Sequence, residues 1–279
     1  MTTADSNEAP PTFYETHAHL TFPDFAEELD AVVERAADAG VRSIVTIGTD
    51  QASSEAAVAI AERFPQVFAA IGWHPSDAED APADVTEALR ALAARAQPVA
   101  IGEIGLDYYR LPSKTRNQTE DDDRRYKIKQ AEVFEQQLEL AAELGLNVVI
   151  HQRSSFDDTY AMMRRYADRL RGVFHCFVED AGAQRRVQEL GCLVSFTGIA
   201  TFKSANTVRE TIKATPLDQL MLETDCPFLA PVPFRGKRAE PAHVPHIAQL
   251  VAELKGVSLE ALSAATCATA EGFFKGLKR

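Results

Sequence analysis

The chain has 279 residues, 46% of them apolar, and carries 29 Lys and Arg against 41 Asp and Glu, a net charge of -12. That size and apolar content suffice for a large buried core, while the acidic balance excludes a molecule that gathers polyanions by its overall field, so any anion has to be held locally. Four widely spaced cysteines without a C-x-x-C pair argue against a disulfide framework and a zinc ribbon and lead us to expect a cytoplasmic protein; no run of about 18 apolar residues signals a membrane span.

Residues 1–12, MTTADSNEAPPT, are polar and acidic and read as a flexible leader, lacking the basic start and apolar stretch of a secretion signal. Short β-rich runs then alternate with helical patterns. TFYETH, RSIVTIG, VFAAIGWH, PVAIGEIG, LNVVIH, GVFHCF, CLVSFTG and QLMLETD are rich in Val, Ile, Leu or Phe and bounded by Gly, Pro or polar residues, the pattern of buried strands. Segments such as FAEELDAVVERAADAG and AEVFEQQLELAAELG repeat apolar residues at helical spacing and close on Gly40 and Gly145. Eight βα units in about 250 residues match a (β/α)8 TIM barrel, a single α/β domain over residues 13–279. A doubly wound open sheet would show a Gly-rich phosphate loop after its first strand. The charged stretch 111–129, LPSKTRNQTEDDDRRYKIK, is expected to be a long exposed loop inserted after the fourth strand.

In YETHAHL, Glu15, His17 and His19 share one face of a strand because side chains alternate sides. Alone, such a pair of histidines is as often a hydrogen-bonded core pair as a ligand pair. Related residues recur at the other strand ends: His74 closes AAIGWH, Glu103 lies in AIGEIG, His151 closes VVIH, His175 sits in GVFHCF and Asp225 closes MLETD. In a barrel those ends converge on one mouth. The two remaining histidines, His243 and His246, fall in a helical pattern after a proline.

Carboxylates set among apolar strands need compensating charge, and histidine with carboxylate is a donor set for divalent cations. Four imidazoles and two carboxylates exceed what one tetrahedral ion with an open position uses. The expectation is two divalent cations (Mg, Mn or Zn), with Glu103 shared, His17, His19 and Asp225 on one, and His151 and His175 on the other. Two such ions against two carboxylates leave a site of about +2, attractive to an anion.

The motifs ETHAHL, GWHP, IGEIGLDYYR, VVIHQR, GVFHCF, SFTGIATFK and LETDCPFLAPVPFRGKRAEP, in this order from about Phe13 to Phe274, resemble the TatD family of metal-dependent deoxyribonucleases. The resemblance implies a TIM barrel, two cations on the six residues just named, and 3'-5' exonuclease or related phosphodiesterase activity on DNA. It further implies that His74 approaches the substrate phosphate. Three positions depart from the family pattern: Glu15 replaces the usual Asp, Ser76 replaces a histidine after the proline, and Ala239 stands where RGKRNEP is usual.

The expected reaction is phosphodiester hydrolysis with both cations activating the attacking water. Asp225 is the candidate proton acceptor, Glu103 the shared carboxylate, and Glu223 either positions water or supports a histidine. Arg110 and Arg153, after strand ends, and the cluster Arg235, Lys237 and Arg238 are candidates for holding phosphates. Trp73, Tyr108, Tyr109, Phe202 and Phe228 could stack exposed bases or simply pack. The rival activities are hydrolysis of a small amide, lactone or phosphoester, and a catalytically silent nucleic-acid-binding scaffold. Many barrels of the first kind bridge their metals with a lysine where this chain has Glu103, and a silent scaffold has no need of a complete ligand set. A monomer without an obligate protein partner is expected.

Overall fold

The computed structural model of the protein describes residues 10–277, so the first nine residues of the expected leader lie outside the described residues. Eight parallel strands pair in chain order: β1 (Phe13–Ala18), β2 (Val41–Ile47), β3 (Val67–Ile71), β4 (Ala100–Asp107), β5 (Val148–Arg153), β6 (Gly172–Phe174), β7 (Leu193–Phe196) and β8 (Leu220–Leu222). Each coincides with one of the eight stretches read from the sequence. The helices α1 (Leu29–Asp38), α2 (Gln51–Arg63), α3 (Thr86–Ala96), α4 (Pro112–Thr115), α5 (Glu120–Leu144), α6 (Phe156–Arg164), α7 (Ala181–Glu189), α8 (Asn206–Ala214), α9 (Val244–Lys255) and α10 (Leu259–Phe273) occupy the connections and the C-terminal end. Among the described residues, no helix is long and apolar enough to cross a membrane.

Two packed layers follow from strand alternation. One apolar cluster joins Val45, Phe68, Val149, Val173, Leu193 and Met221 with Phe273, Phe274 and Leu277 near the C-terminus. The intervening strand residues, such as Ile44, Ile71, Ile150, Val194 and Leu222, belong to the larger cluster shared with the helices. Continuing the first set by twos leads from Val149 to His151, from Val173 to His175, and from Met221 to Glu223 and Asp225. The polar residues of the mouth thus extend the barrel's interior-facing rows.

The barrel closes weakly between β1 and β8. Backbone contacts there are a bridge between Ala18 and Cys226, with Asp225 N–H donating to the His17 carbonyl (3.0 Å) and His19 N–H to the Cys226 carbonyl (2.9 Å). Below them the Glu15 carboxylate takes the place of a ladder, accepting from the backbone N–H of His17 (3.0 Å), the backbone N–H of Thr224 (3.0 Å) and the Thr224 hydroxyl (2.5 Å).

The segment 111–129 is not a long loop. Thr119 accepts from Asp122 N–H while the Asp122 side chain accepts from Thr119 N–H, a reciprocal cap that starts the 25-residue α5 at Glu120. Its first turn holds Glu120, Asp121, Asp122 and Asp123, acids favoured by the helix dipole at this end. Apolar residues are sparse there because these turns face solvent; burial begins in earnest at Gln130, Val133 and Phe134. Charge density therefore marked an exposed helix end rather than irregular chain.

Buried glutamines of α5 then hold two site loops. Gln130 donates to the carbonyls of Pro75 and Asp107 (both 3.1 Å) and accepts from Asp107 N–H (3.0 Å). Gln137 accepts from Trp73 N–H (2.7 Å) and donates to the Trp73 carbonyl (3.0 Å). Gly105, with φ of +143°, lets β4 lie against β5 beside the interior-facing rows: a Cβ there would stand 2.0 Å from the His151 carbonyl oxygen.

Candidate functional site

All six expected ligands meet at the mouth. β1 delivers His17 and, one residue past its end, His19, whose Nε2 atoms are 3.3 Å apart. Asp225 Oδ1 lies 3.3 Å from His19 Nε2 and 3.8 Å from His17 Nε2, making one compact group. Glu103 sits at an irregularity in the β4–β5 register, the kind of feature that re-aims a side chain. Its Oε2 is 3.3 Å from His17 Nε2, while Oε1 is 2.6 Å from His175 Nε2 and 2.7 Å from His151 Nδ1. Glu103 is therefore the carboxylate with one oxygen toward each side, as a shared ligand requires.

Glu103 is 2% exposed, so its charge demands partners. Burial pushes its carboxyl up, but the imidazoles of His175, His74 and His17 and the hydrogen bond from His151 outweigh that and hold it well below the ordinary range. Burial likewise lowers His175, yet Glu103 and Glu223 drive that imidazole well above its usual value. The cluster thus draws positive charge to its centre, from protons on imidazoles or from cations that replace them. Hydrogen-bonding nitrogen and carboxylate oxygen converging this closely fit borderline or hard divalent ions.

The His151 ring lies between two carboxylates. Its Nδ1 faces Glu103, and its Nε2 lies 3.2 Å from Asp107 Oδ2. Asp107 is 5% exposed; burial raises its carboxyl, but the His151 hydrogen bond and charge outweigh burial and lower it, so it is an ionised acceptor. Nε2 consequently carries a proton, and a cation displacing the Nδ1 proton would meet the correct lone pair. Tyr109 N–H, 2.8 Å from Oδ1, and the Gln130 cradle fix the Asp107 position. Asp107 was not among the sequence candidates, although its spacing from Glu103 in GEIGLD, two steps of strand alternation, carries the signal.

A third possible ligand group, His74 with Glu103 and His151, is compact as well. Its chemistry differs. Ser76 N–H donates to His74 Nδ1 (3.0 Å), and burial, reinforced by the neighbouring His151, pushes the imidazole down to about 3, so the neutral ring carries its proton on Nε2. That nitrogen lies 3.2 Å from His151 Nδ1 and 3.6 Å from Glu103 Oε1, so in this tautomer it is a donor at the mouth.

The family of TatD related DNases matches residues 14–275. The chain belongs to the TatD family. Among its relatives, the metal-dependent hydrolase YabD of Bacillus subtilis is 37% identical over 263 residues, 94% of this chain and 98% of that protein. The 3'-5' ssDNA/RNA exonuclease TatD of Citrobacter rodentium is 34% identical over 267 residues, covering 94% and 97% of the two chains. The crystal structure of the TatD homolog YJJV of Escherichia coli K12 superposes with a TM-score of 0.85 at 29% identity, covering 94% and 97%. This TatD protein is accordingly a metal-dependent hydrolase with a single barrel domain, acting on ester bonds.

The other TatD candidates are distributed unevenly. A cleft of about 750 Å³ above the ligands includes His74, Arg110, Arg153 and Asp225 in its lining, but neither Glu223 nor Arg235, Lys237 and Arg238. Glu223, 1% exposed, accepts from Cys176 N–H (2.6 Å) and lies 3.5 Å from His175 Nδ1, so it braces the end of β6 behind the mouth. Arg238 pairs with Glu28 (2.8 Å) and Glu240 (2.6 Å) over the Phe25 ring, which ties the post-β8 loop to α1 and its approach. Arg235 stacks 3.8 Å above Phe202. Glu15, expected near the histidine side chains, instead contacts backbone N–H groups, and burial pushes its carboxyl up to about 8. Of the aromatic candidates, Trp73 is buried with its indole N–H on the Asp77 carbonyl (2.9 Å), whereas Tyr109 and Phe228 are exposed at the rim.

Proposed function

We propose that this protein is a 3'-5' exonuclease of single-stranded DNA, working with two divalent cations of the Mg, Mn or Zn type. His17, His19 and Asp225 would hold one, His151 and His175 the other, with Glu103 between them. The observation that carries this reading is the division of the Glu103 oxygens between the two imidazole groups. Relatives named 3'-5' ssDNA/RNA exonuclease support the substrate class.

When bound, such a cation pair supplies charge for a phosphate in-line displacement and lowers the pKa of attacking water. The chain's own residues contribute the rest. His74 offers Nε2–H to a nonbridging phosphate oxygen, and Arg110 and Arg153 offset charge at the rim. Asp225 is the most accessible carboxylate of the set, its side chain 15% exposed, and is the proton acceptor on the water's side. Asp107 keeps His151 in one orientation. Glu103 in place of a bridging lysine weighs against the amide, lactone and phosphotriester barrels.

The test is incubation of purified protein with Mg²⁺, Mn²⁺ or Zn²⁺ and 5'-labelled single-stranded DNA, beside Glu103→Ala and His151→Ala. A ladder shortening from the 3' end, lost in both variants, is expected. Turnover of amide or lactone substrates without release of nucleotides under any of the ions would discard the nuclease assignment.

A further inference from the structure

The loops around the mouth divide by chemistry. Those following β1, β6, β7 and β8 line the cleft with Phe22, Val178, Ile199, Phe228 and Leu229. Phe228 is 50% exposed and meets Phe22 edge-to-face with ring centroids 5.7 Å apart, while Phe22 leans on the His19 ring at 4.9 Å. No Lys or Arg of this half lines the cleft: Arg235 is over Phe202 and Arg238 is in its ion pairs. The loops following β3 and β4 and the end of β5 instead present His74, Arg110 and Arg153, with both arginines exposed. Arg153 is held 3.7 Å over the exposed Tyr109 ring. The acids on this side are withdrawn, Asp107 onto His151 and Tyr109 N–H, and Asp77 half-buried with its carboxyl pushed up to about 6 by burial.

From this partition we infer a direction for the bound strand: the 3'-terminal nucleoside rests its base on Phe228 and Phe22, and the upstream phosphates run over Arg110 and Arg153. The inference rests on the exonuclease reading and adds the subsite and its ligand. A phosphodiester cut at the metal ligands has unequal neighbours. On its terminal side stands one nucleoside with no further phosphate, which an apolar wall without cations accommodates. On its other side every nucleotide adds a negative charge, which the arginine wall balances. The aromatic wall carries no donor or acceptor to read a base edge, so it holds any base by its face. A 3'-phosphate would place its charge against that same apolar wall and be refused.

The test uses Mn²⁺-loaded full-length protein under single-turnover conditions and three 5'-labelled single-stranded oligonucleotides. One ends in a normal 3'-hydroxyl nucleotide, one in an abasic tetrahydrofuran residue, and one in a 3'-phosphate. Stacking of one base on an aromatic ring predicts removal of the normal terminus at least about fivefold faster than the abasic one. Phe228→Ala should bring the two rates together, and Phe228→Tyr, which keeps the ring, should preserve the gap and serve as the folding control. The 3'-phosphate end should be the slowest for wild type. Equal rates for normal and abasic ends in wild type, or an unchanged ratio in Phe228→Ala, would overturn the subsite. Digestion of none of the three by wild type would overturn the exonuclease reading itself.

Discussion

Replacing Asp107 tests whether the carboxylate behind His151 governs metal affinity. In the native arrangement an ionised, nearly buried acceptor lies 3.2 Å from Nε2, a charge-assisted bond worth about 1.5–3 kcal/mol. Asp107→Ala leaves that N–H without a partner and frees the proton to move to Nδ1, the nitrogen that faces Glu103. Loss of such a supporting partner typically weakens metal binding about 10- to 100-fold, or about 1.4–2.8 kcal/mol, the same range as the bond itself. Asp107→Asn retains a carbonyl that can accept from Nε2–H but no charge, so it should fall between alanine and wild type. Calorimetric titration of chelator-treated protein with Mn²⁺ reads the affinity, with the weakened ion belonging to the His151 and His175 group and the His17, His19 and Asp225 group little changed. Because Asp107 also accepts from Tyr109 N–H, urea unfolding of the metal-free variants separates lost stability from lost affinity. Two ions bound by Asp107→Ala with wild-type affinity would refute the orienting role.

Two further outcomes follow from the packing. Glu15→Ala strips the β1–β8 seam of an acceptor for two buried backbone N–H groups and should cost about 3 kcal/mol in urea unfolding of metal-free protein, while Glu15→Gln, which keeps an acceptor, should cost much less; equal losses would show that the carboxylate is not a seam clasp. For Glu240, burial raises the carboxyl, but Arg35 and Arg238 outweigh it and leave it below its ordinary value, so its contribution is present above about pH 4.5 and is lost as pH falls. Partial exposure of Arg35 limits that contribution to about 1 kcal/mol; the stability gap between wild type and Glu240→Gln should be open at pH 7 and shrink as acid protonates the folded-state carboxylate, and a gap independent of pH would contradict the assignment.

Much of the site was legible along the chain because a barrel converts linear position into spatial position. A polar residue two steps beyond an interior apolar one, as His151 follows Val149 and His175 follows Val173, has its direction set by alternation alone. The eight strands were read from apolar runs bounded by Gly, Pro or polar residues, and the six candidate ligands from their places near the ends of those runs. Residue type on its own misled where side chains had several possible partners. Glu15 shares a strand face with His17 in the sequence, yet its longer side chain turns across the seam to Thr224. Arg238 resembles a phosphate ligand until Glu28 and Glu240, one of them more than 200 positions away, claim it. The acids and bases of 111–129 looked like loop because a helix end facing solvent has no apolar stripe, although the Thr119–Asp122 cap was written there.

By itself, the sequence determined the alternating strand and helix order through its local hydrophobic period, the family through its ordered motifs, and the six candidate ligands through their places at strand ends, none of which needs knowledge of partners. Only the tertiary structure decided which nitrogen of the His74 and His151 rings is committed. Ser76 N–H makes His74 a donor at Nε2, and Asp107 commits His151 Nε2 and leaves Nδ1 facing Glu103, through contacts set by the meeting of β3, β4 and β5 and the glutamines of α5. Proton position depends on what lies within about 3 Å, and that distance is created by folding.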